Sequence, residues 1–500
     1  MATQLKTPGV YITDPNPFPN TMQQVSTAIP VFIGYTEKAS ANGKSLLKVP
    51  TAVTSLAEYE AYFGGAFPAK FSLVPTTAKN FDIYLNGLTY FVRATNNNTA
   101  YFYNSIRLFY ANGGGACYIL SVGTYGDKPG GFAIDPADFV GTTPQSNVFN
   151  ILTNQQDITL VVMPDAIALG QDCYTSLYIP ALQHCATAQS RMALLDVELV
   201  RSPELLTNAV NAFRQQVYAD INTLSFGAAY CPWLNTTLVQ FSEITMDNLD
   251  AGVDLSTLLP DENAQKVLAQ YNNGKPVSDK DKQAMQAALL AVSQPYKDLM
   301  NAILTEVNIL PPTAAIAGIY TTTDSDQGVW VAPANVSITA ATKAVITLSD
   351  TDQSFLNIDP LTGKSINAIR VFSKLGMLIW GARTLDGNSN DLRYINARRT
   401  LIMIEQSIKL AIRAYAFEPN TSITWVTVQS MISNFLTGLW KQGALVGATP
   451  SDAYSVSVGL GSTMTADDIL NGYMNVTVKV AITHPAEFIV ITIQQQMQAT

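Results

Sequence analysis

The chain has 500 residues, of which only 13% are charged, compared with about a quarter of the residues in an ordinary soluble domain. Its 38 Asp and Glu residues outnumber its 29 Lys and Arg residues, and the net charge of −9 argues against nucleic acid as a partner. Only two His residues are present and none of the four Cys residues forms a CxxC pair, so the composition disfavours zinc sites and most acid–base catalysis.

We therefore expect no cofactor, and we expect the cysteines to be reduced core residues. The N-terminus has no apolar signal stretch, and no window approaches the roughly 18 apolar residues of a membrane span. These patterns predict synthesis in the cytoplasm and no direct membrane insertion.

The first 30 residues predict a connector arm. Four prolines from Pro8 to Pro19 exclude a helix or a central strand, and only Val10, Tyr11 and Ile12 form a strand-like run. Such a segment cannot bury itself, so we expect it to lie on another surface.

The middle of the chain predicts two domains. Residues 31–145 alternate short strands, such as VFIGYT, with loops and are predicted to form an outer α+β domain. In 146–365 apolar strands alternate with helices, which predicts a central α/β domain with a parallel sheet. An acidic helical insertion is predicted near 243–306, and loops with short strands after Pro311 and Pro312.

Residues 366–500 predict a C-terminal domain with two amphipathic helices, one ending before Pro419 and one running from near Ser422 to Gly443. A strand follows in which three valines alternate with polar residues, and the last apolar run is unusual at a chain end because it is apolar on both faces. The expected fold class is therefore a multidomain, mixed α+β protein with an α/β centre.

Three patterns in the sequence are candidates for a chemical role. Asp165 and Asp196 end successive apolar strands, where α/β enzymes place catalytic acids, so an enzyme using this pair is the alternative function. Gly113–Gly115 precede a strand rather than a helix, which favours a structural turn over a phosphate site. His184 and Cys185 are helix neighbours and point apart, which disfavours a thiol–imidazole pair.

A basic cluster is the remaining signal. The stretch from Arg370 to Tyr415 contains eight basic and three acidic residues, although the whole chain has a negative net charge. Arg399, Gln406 and Arg413 are spaced seven apart, which predicts a shared helix face opposite the apolar stripe. This face is either solvated or docks an acidic partner.

Several sequence blocks, in order along the whole chain, resemble the contractile tail sheath family of myoviruses and phage-derived contractile injection systems. They are TPGVYI near the start, VFIGYTEKA, NGGGACYILSV, PPTAAIAGIYTTTDSDQGVWVAPAN, WGARTL, YINARRTLIMIEQSI, FLTGLWKQGALVGATP and PAEFIVITI. The least characteristic stretches are 40–100 and 235–310. The resemblance leaves open whether the chain comes from a phage tail or from a domesticated injection particle.

The resemblance implies a structural subunit, made in a bacterial cytoplasm, that forms stacked hexameric rings around an inner tube and contracts to drive that tube through a target envelope. Its partners would be copies of itself, the tube protein, and baseplate and cap or terminator proteins. Both chain ends would complete a sheet shared with neighbours, and the tube-facing candidates are Arg398, Arg399, Lys409 and Arg413. The predicted inter-subunit strand residues are Val10, Tyr11, Ile12, Val476, Val478, Val480, Phe488, Ile489, Val490 and Ile491.

Overall fold

The computed structural model describes residues 22–95, 99–125, 132–271 and 278–488. The strands in these residues are β1 (Pro30–Thr36), β2 (Ser40–Ala41), β3 (Lys44–Ser45), β4 (Thr51–Val53), β5 (Phe71–Thr76), β6 (Ile83–Leu85), β7 (Leu88–Ala94), β8 (Cys117–Thr124), β9 (Leu160–Val162), β10 (Met192–Asp196), β11 (Gly227–Cys231), β12 (Leu234–Thr236), β13 (Ile309–Leu310), β14 (Ala341–Ala344), β15 (Asn367–Phe372), β16 (Gly376–Trp380), β17 (Tyr454–Val458) and β18 (Val476–Val480).

The helices are α1 (Leu56–Phe63), α2 (Phe102–Ala111), α3 (Pro136–Val140), α4 (Val148–Leu152), α5 (Ile179–Ala188), α6 (Leu206–Gln216), α7 (Ile221–Leu224), α8 (Leu255–Leu258), α9 (Glu262–Gln270), α10 (Asp279–Val292), α11 (Gln294–Val307), α12 (Thr313–Asp326), α13 (Asp350–Asn357), α14 (Ile395–Ile412), α15 (Ser422–Lys441), α16 (Pro450–Ala453) and α17 (Ala466–Leu470). None of the helices in the described parts of the chain combines the length and apolar character needed to cross a membrane.

The chain divides into two compact units. The large unit comprises Ser26–Ile402 with His484–Thr500, and the small unit comprises Met1–Val25 with Met403–Thr483, each within the described ranges. The division falls inside α14.

An eight-stranded sheet forms the centre of the large unit, in the order β16-β15-β11-β10-β9-β1-β8-β4. The six strands from β15 to β8 run parallel, and the edge strands β4 and β16 are antiparallel to their neighbours. Every residue of β1, β9, β10 and β11 is buried, as expected for parallel strands covered on both faces. The parallel sheet predicted for the centre of the chain is therefore present.

This sheet overturns the predicted boundaries of the middle domains. β1 and β8 come from the predicted outer domain 31–145, β9 to β11 from 146–365, and β15 and β16 from 366–500, yet all belong to one sheet. The prediction was wrong because sheet neighbours are set by crossovers rather than by closeness in sequence. Phe32, for example, lies opposite both Ile119 and Val162.

The stretch after Pro312 is also a correction. Instead of beginning with loops, it begins with the 14-residue helix α12, whose residues from Thr313 to Tyr320 are all buried. A helical segment enclosed on all sides has no polar face, so the small apolar residues of this first half show no amphipathic period. Gly318 allows close packing against α2, since a Cβ at this position would lie 2.6 Å from the Phe109 carbonyl oxygen.

A second hydrophobic core in the large unit combines two distant stretches. The β5–β7–β6 sheet contributes Phe71 and Val92, and α9 to α11 contribute side chains such as Leu268, Met285 and Ile303. The helices predicted near 243–306 are thus present, but they share their core with a sheet from the predicted outer domain. These stretches lie within 40–100 and 235–310, the two parts least characteristic of the sheath family.

The small unit is built on α15 and the antiparallel pair β17–β18. Val428, Ile432 and Leu436 of α15 repeat at helical spacing and are buried. The predicted helices on either side of Pro419 and the predicted valine strand are therefore confirmed.

Candidate assembly surfaces

Among its described residues, the small unit has one sheet, formed by the two strands β17 and β18. Tyr454 pairs with Val480 and Val458 with Val476, and neither strand pairs with a third among the described residues. Helix α15 covers this sheet, where Gln429 donates a 2.9 Å hydrogen bond to the Val456 carbonyl. A two-stranded sheet is marginally stable alone and leaves edge N–H and C=O groups available for pairing.

The valines of β18 lie on the protected face of this sheet. Val476, Val478 and Val480 are half-buried, whereas Thr477 and Lys479 between them are exposed. This agrees with the predicted alternation, and a strand added at the edge would extend both faces in register.

Exposed apolar side chains are frequent in the small unit. Ile423 and Val426 are exposed on α15, and others lie at the end of α14, in loops and in α17. They include Leu410, Phe417, Leu460, Leu470 and Tyr473. So many exposed apolar side chains in a unit of this size are typical of a surface that binds other protein chains.

The terminal strand predictions fall mainly outside the described residues. Val10, Tyr11, Ile12, Ile489, Val490 and Ile491 all lie there. Phe488 is described, is 70% exposed and belongs to no strand of the isolated chain.

Arg399 is buried, which corrects the prediction that it lies on an exposed helix face. Only 4% of the residue is exposed, and its guanidinium donates to both carboxylate oxygens of Asp324, at 2.8 and 2.5 Å. It also donates to the Thr27 carbonyl at 2.9 Å and lies 4.5 Å from the Tyr320 ring centre. Burial opposes its charge, but Asp324 outweighs burial and raises the pKa of Arg399.

This ion pair holds the start of the large unit. The Thr27 hydroxyl donates a 2.6 Å hydrogen bond to Asp324, and two residues later the Ile29 amide donates to the Thr159 hydroxyl at 2.8 Å. The chain then enters β1 in the centre of the main sheet. Arg399 therefore anchors the residues that follow the N-terminal segment.

Arg398 is buried as well, with its guanidinium 3.7 Å from the centre of the Phe226 ring. The predicted tube-facing set is thus divided, because Lys409 and Arg413 are exposed while both arginines at the start of α14 are interior. The helical pattern placed Arg399 opposite the apolar stripe, but it could not show that α12 covers that side.

Glu487 is a functional candidate that the sequence analysis missed. Arg383, only 4% exposed, donates to its two carboxylate oxygens at 3.0 and 2.6 Å, from Nε and Nη2. The Tyr394 hydroxyl donates at 3.0 Å and the Asn357 amide at 2.8 Å. Burial opposes the carboxylate charge, but these donors lower the pKa of Glu487 overall. A signal was present, since Glu487 is the only Asp, Glu, Lys or Arg after Lys479.

Asp165 and Asp196 hold helices rather than a substrate. Asp165 accepts hydrogen bonds from the backbone N–H groups of Tyr35, Tyr101 and Phe102, at 2.8 to 3.0 Å. Asp196 accepts from the backbone N–H and the hydroxyl of Thr313, at 3.1 and 2.6 Å. Tyr101–Phe102 and Thr313 begin α2 and α12, whose N-terminal N–H groups need acceptors. Both carboxylates are fully buried.

The weaker chemical patterns also have structural explanations. His184 lies 3.3 Å from the Arg191 guanidinium, and burial raises the pKa of Cys185 to about 12, so this thiol stays protonated at neutral pH. Gly113 has a positive φ of 83° in the turn between α2 and β8, as the structural reading predicted. Among the described residues no His, Cys, Asp and Glu group is arranged to hold a metal ion.

Comparison with known proteins links the chain to one class of assembly. Residues 388–496 match the family model of the phage tail sheath C-terminal domain. No curated protein matches the chain significantly.

Solved structures match the whole chain. The sheath complex of PVC, an extracellular contractile injection system, in its contracted state is 26% identical with a TM-score of 0.61, covering 99% of each chain. The helical sheath of the anti-feeding prophage in its contracted state is 26% identical with a TM-score of 0.61, covering 99% of this chain and 100% of that one. A chain of the six-fold symmetrised anti-feeding prophage baseplate is 26% identical with a TM-score of 0.59, over the same shares.

Proposed function

We propose that the chain is a subunit of a contractile tail sheath, which polymerises as stacked hexameric rings around an inner tube and contracts to drive that tube through a target envelope. The likeness to two contracted sheaths over nearly the full length supports this function. It also supports a particle that acts outside the cell that made it, either a phage tail or a tail-like injection particle.

The unfinished β17–β18 sheet is the observation on which the assembly mechanism rests. Its edges can accept extended segments from neighbouring copies, and the chain has suitable apolar segments at Val10–Ile12 and Phe488–Ile491. In such strand addition the backbone hydrogen bonds supply affinity, and the alternating side chains supply register.

Contraction would be a rigid-body change between two packings of the same subunits. Shared strands would keep subunits connected while their other contacts are exchanged. The exposed apolar side chains of the small unit provide surface that can be buried against different neighbours in the two states.

The proposed partners beyond the sheath itself are the inner tube, the baseplate and a cap or terminator protein. Likeness to a chain of a baseplate structure supports the second of these. For the tube, the remaining candidates are Lys409 and Arg413, which are exposed in the small unit.

The alternative enzyme function finds no support. A catalytic carboxylate must reach a substrate, whereas Asp165 and Asp196 are buried and accept hydrogen bonds from helix N-termini. The sheath relatives match the whole chain without a separate region in which an additional activity would lie.

Negative-stain microscopy of the purified chain, alone and with its tube protein, tests the proposal. We expect rings or tubes from the full chain, and folded monomers from a variant that lacks residues 1–20. Leu88→Ser, an exposed change beside the β6–β7 turn, is the control and should still form tubes. Tubes formed by the truncated variant would contradict strand sharing by the N-terminal segment, and a full chain that stays monomeric even with the tube would contradict the sheath function.

A further inference from the structure

The last described residues are attached to the large unit through side chains: Glu487 makes the hydrogen bonds, and the His484 ring lies 5.5 Å from the Tyr394 ring. Residues 484–488 form no strand or helix, and within the described chain they make no backbone–backbone hydrogen bond. By contrast, the residues just before them are tied into the small unit, where the Thr483 amide donates to the Ala444 carbonyl at 3.1 Å. The attachment of 484–488 therefore depends on side chains.

Glu487 makes all the hydrogen bonds of this attachment that involve side chains of 484–488. Its carboxylate accepts from three side chains on three different elements, namely Asn357 at the end of α13, Arg383 after β16, and Tyr394 just before α14. Ion pairs with two parallel N–H donors fix orientation as well as distance. The Glu487 backbone is thus held at a defined place on the large unit.

Arg383 is also held by hydrogen bonds that do not involve Glu487. The Arg383 amide donates to the Asn367 side chain at 2.8 Å, and the Arg383 Nη1 donates to the Gly387 carbonyl at 3.2 Å. These bonds connect Arg383 to β15 and to the loop that precedes α14. Because its guanidinium is nearly inaccessible, losing Glu487 would leave a buried positive charge without its carboxylate.

We propose that Glu487 is a positioning residue for assembly, which sets the point and direction in which the C-terminal segment leaves its own subunit to pair with a neighbouring copy. This inference rests on the proposed sheath function and adds a residue to it. The apolar run that the sequence predicts to be a strand begins at Phe488, one residue after Glu487, so fixing Glu487 also fixes where this run starts. A segment released from Arg383 would have to be ordered when it binds, and that entropy would weaken the contact between subunits.

A graded series of variants tests this role in the full chain. Tyr394→Phe removes one hydrogen bond, Glu487→Gln removes the charge, and Glu487→Ala removes every contact. We expect the protein concentration at which half the chain sediments as tubes to rise in that order. For Glu487→Ala the rise should be at least about tenfold, which corresponds to about 1.4 kcal/mol.

Two further measurements separate positioning from general stability. The midpoint of thermal unfolding of the monomer measures the loss of general stability, and Glu243→Ala, which breaks the two-point ion pair between Arg107 and Glu243 elsewhere in the large unit, is the control. When tube formation is compared at temperatures equally far below each variant's own unfolding midpoint, only Glu487→Ala should need a higher protein concentration. In the double variant, Tyr394→Phe should add nothing to Glu487→Ala, because both act through the same carboxylate.

The outcomes are distinguishable. If the wild-type chain forms tubes and Glu487→Ala forms them at the same concentration, the positioning role is wrong while the sheath function stands. If Glu243→Ala impairs tubes as strongly, or if the two effects at Glu487 and Tyr394 add, the anchor has no specific role. If the wild-type chain forms no tubes with its tube protein present, the proposed function itself is contradicted.

Discussion

Asp165 is one of two buried carboxylates that organise the centre of the large unit. It accepts three backbone N–H groups, two of which begin α2, and burial raises its pKa to about 7. An amide of the same shape has one acceptor oxygen, so its NH₂ group would face a backbone N–H. Asp165→Asn should therefore lower the free energy of unfolding by about 1–3 kcal/mol.

Chemical denaturation of the monomer measures this change. Asp172→Asn, at an exposed position, is the control and should be nearly neutral. An Asp165→Asn variant as stable as the control would show that the three hydrogen bonds contribute little. Loss of contraction in a variant with normal stability and normal tubes would instead revive a chemical role for this residue.

The lowered pKa of His184 leads to a prediction of how the free energy of unfolding depends on pH. Burial and the neighbouring Arg191 lower its pKa from 6.5 to about 4, so the folded chain keeps a neutral imidazole over a range in which the unfolded chain binds a proton. The unfolded state thus holds more protons between about pH 4 and 6.5, and the stability contributed by His184 is lost as the pH falls through this range. In His184→Gln this part of the acid destabilisation should be absent. Equal pH slopes for both proteins would contradict the assignment.

At the scale of single elements, the strands of the main sheet were predictable and α12 was not. Runs such as VFIGYT and MALLD are apolar throughout, which is what a strand buried on both faces requires. The same property hid the first half of α12, since a helical segment buried on all sides has neither the period of an amphipathic helix nor that of a strand. Its surroundings, α2 and the sheet, are far away in sequence.

The close contact between α2 and α12 predicts that alanine destabilises the chain at Gly318, whereas it should stabilise the chain at Gly438, a helix glycine outside this contact. At Gly318 an added Cβ would lie 2.6 Å from the Phe109 carbonyl oxygen, whereas at Gly438 in α15 nothing lies within 4 Å. Gly318→Ala should therefore destabilise the monomer by about 1–3 kcal/mol through overpacking. Gly438→Ala should stabilise it by about 0.5–1 kcal/mol, because glycine is a poor helix former. Denaturation curves that show the same sign at both positions would contradict the close approach of the two helices.

At the scale of the whole molecule, the order of the strands explains which predictions failed. Domain boundaries were drawn where composition changes along the chain, but β1 lies between β8 and β9, and β15 lies beside β11. The prediction that Arg399 lies on an exposed helix face was wrong for a related reason, since its partner Asp324 lies 75 positions earlier in the chain. Local periodicity can identify elements, but it carries no information on which distant element covers each face.

For the segments proposed to join subunits, the sequence predicted the strand itself but not its contacts. The pattern around Val476–Val480 indicated a strand because polar and apolar residues alternate, and this strand is present. Its use between subunits stays a prediction, because a single chain shows an open edge but not its occupant. The anchor at Glu487 could have been suspected from one carboxylate in an uncharged C-terminal stretch, but its three donors come from elements brought together only by folding.

The exposed basic residues of the small unit lead to the last prediction. Lys409 and Arg413 lie four apart at the end of α14 and in the turn that follows, and both are exposed. If they face the tube, the outer wall of the tube should be acidic. Each exposed pair contributes only about 0.2–1 kcal/mol, but a tube of many rings repeats the contact along its whole length.

Lys409→Glu with Arg413→Glu should therefore give sheaths that assemble without the tube or contract early. Wild-type particles should approach the same behaviour at high salt, because the screening length falls from about 10 Å at 0.1 M to about 3 Å at 1 M. Lys79→Glu with Lys343→Glu, both exposed in the large unit, changes the net charge equally and should leave extended particles intact. Counting extended and contracted particles by microscopy across a salt series measures the effect. If the Lys409 and Arg413 variant stays extended with the salt response of the wild type, these two residues form only a solvated helix face.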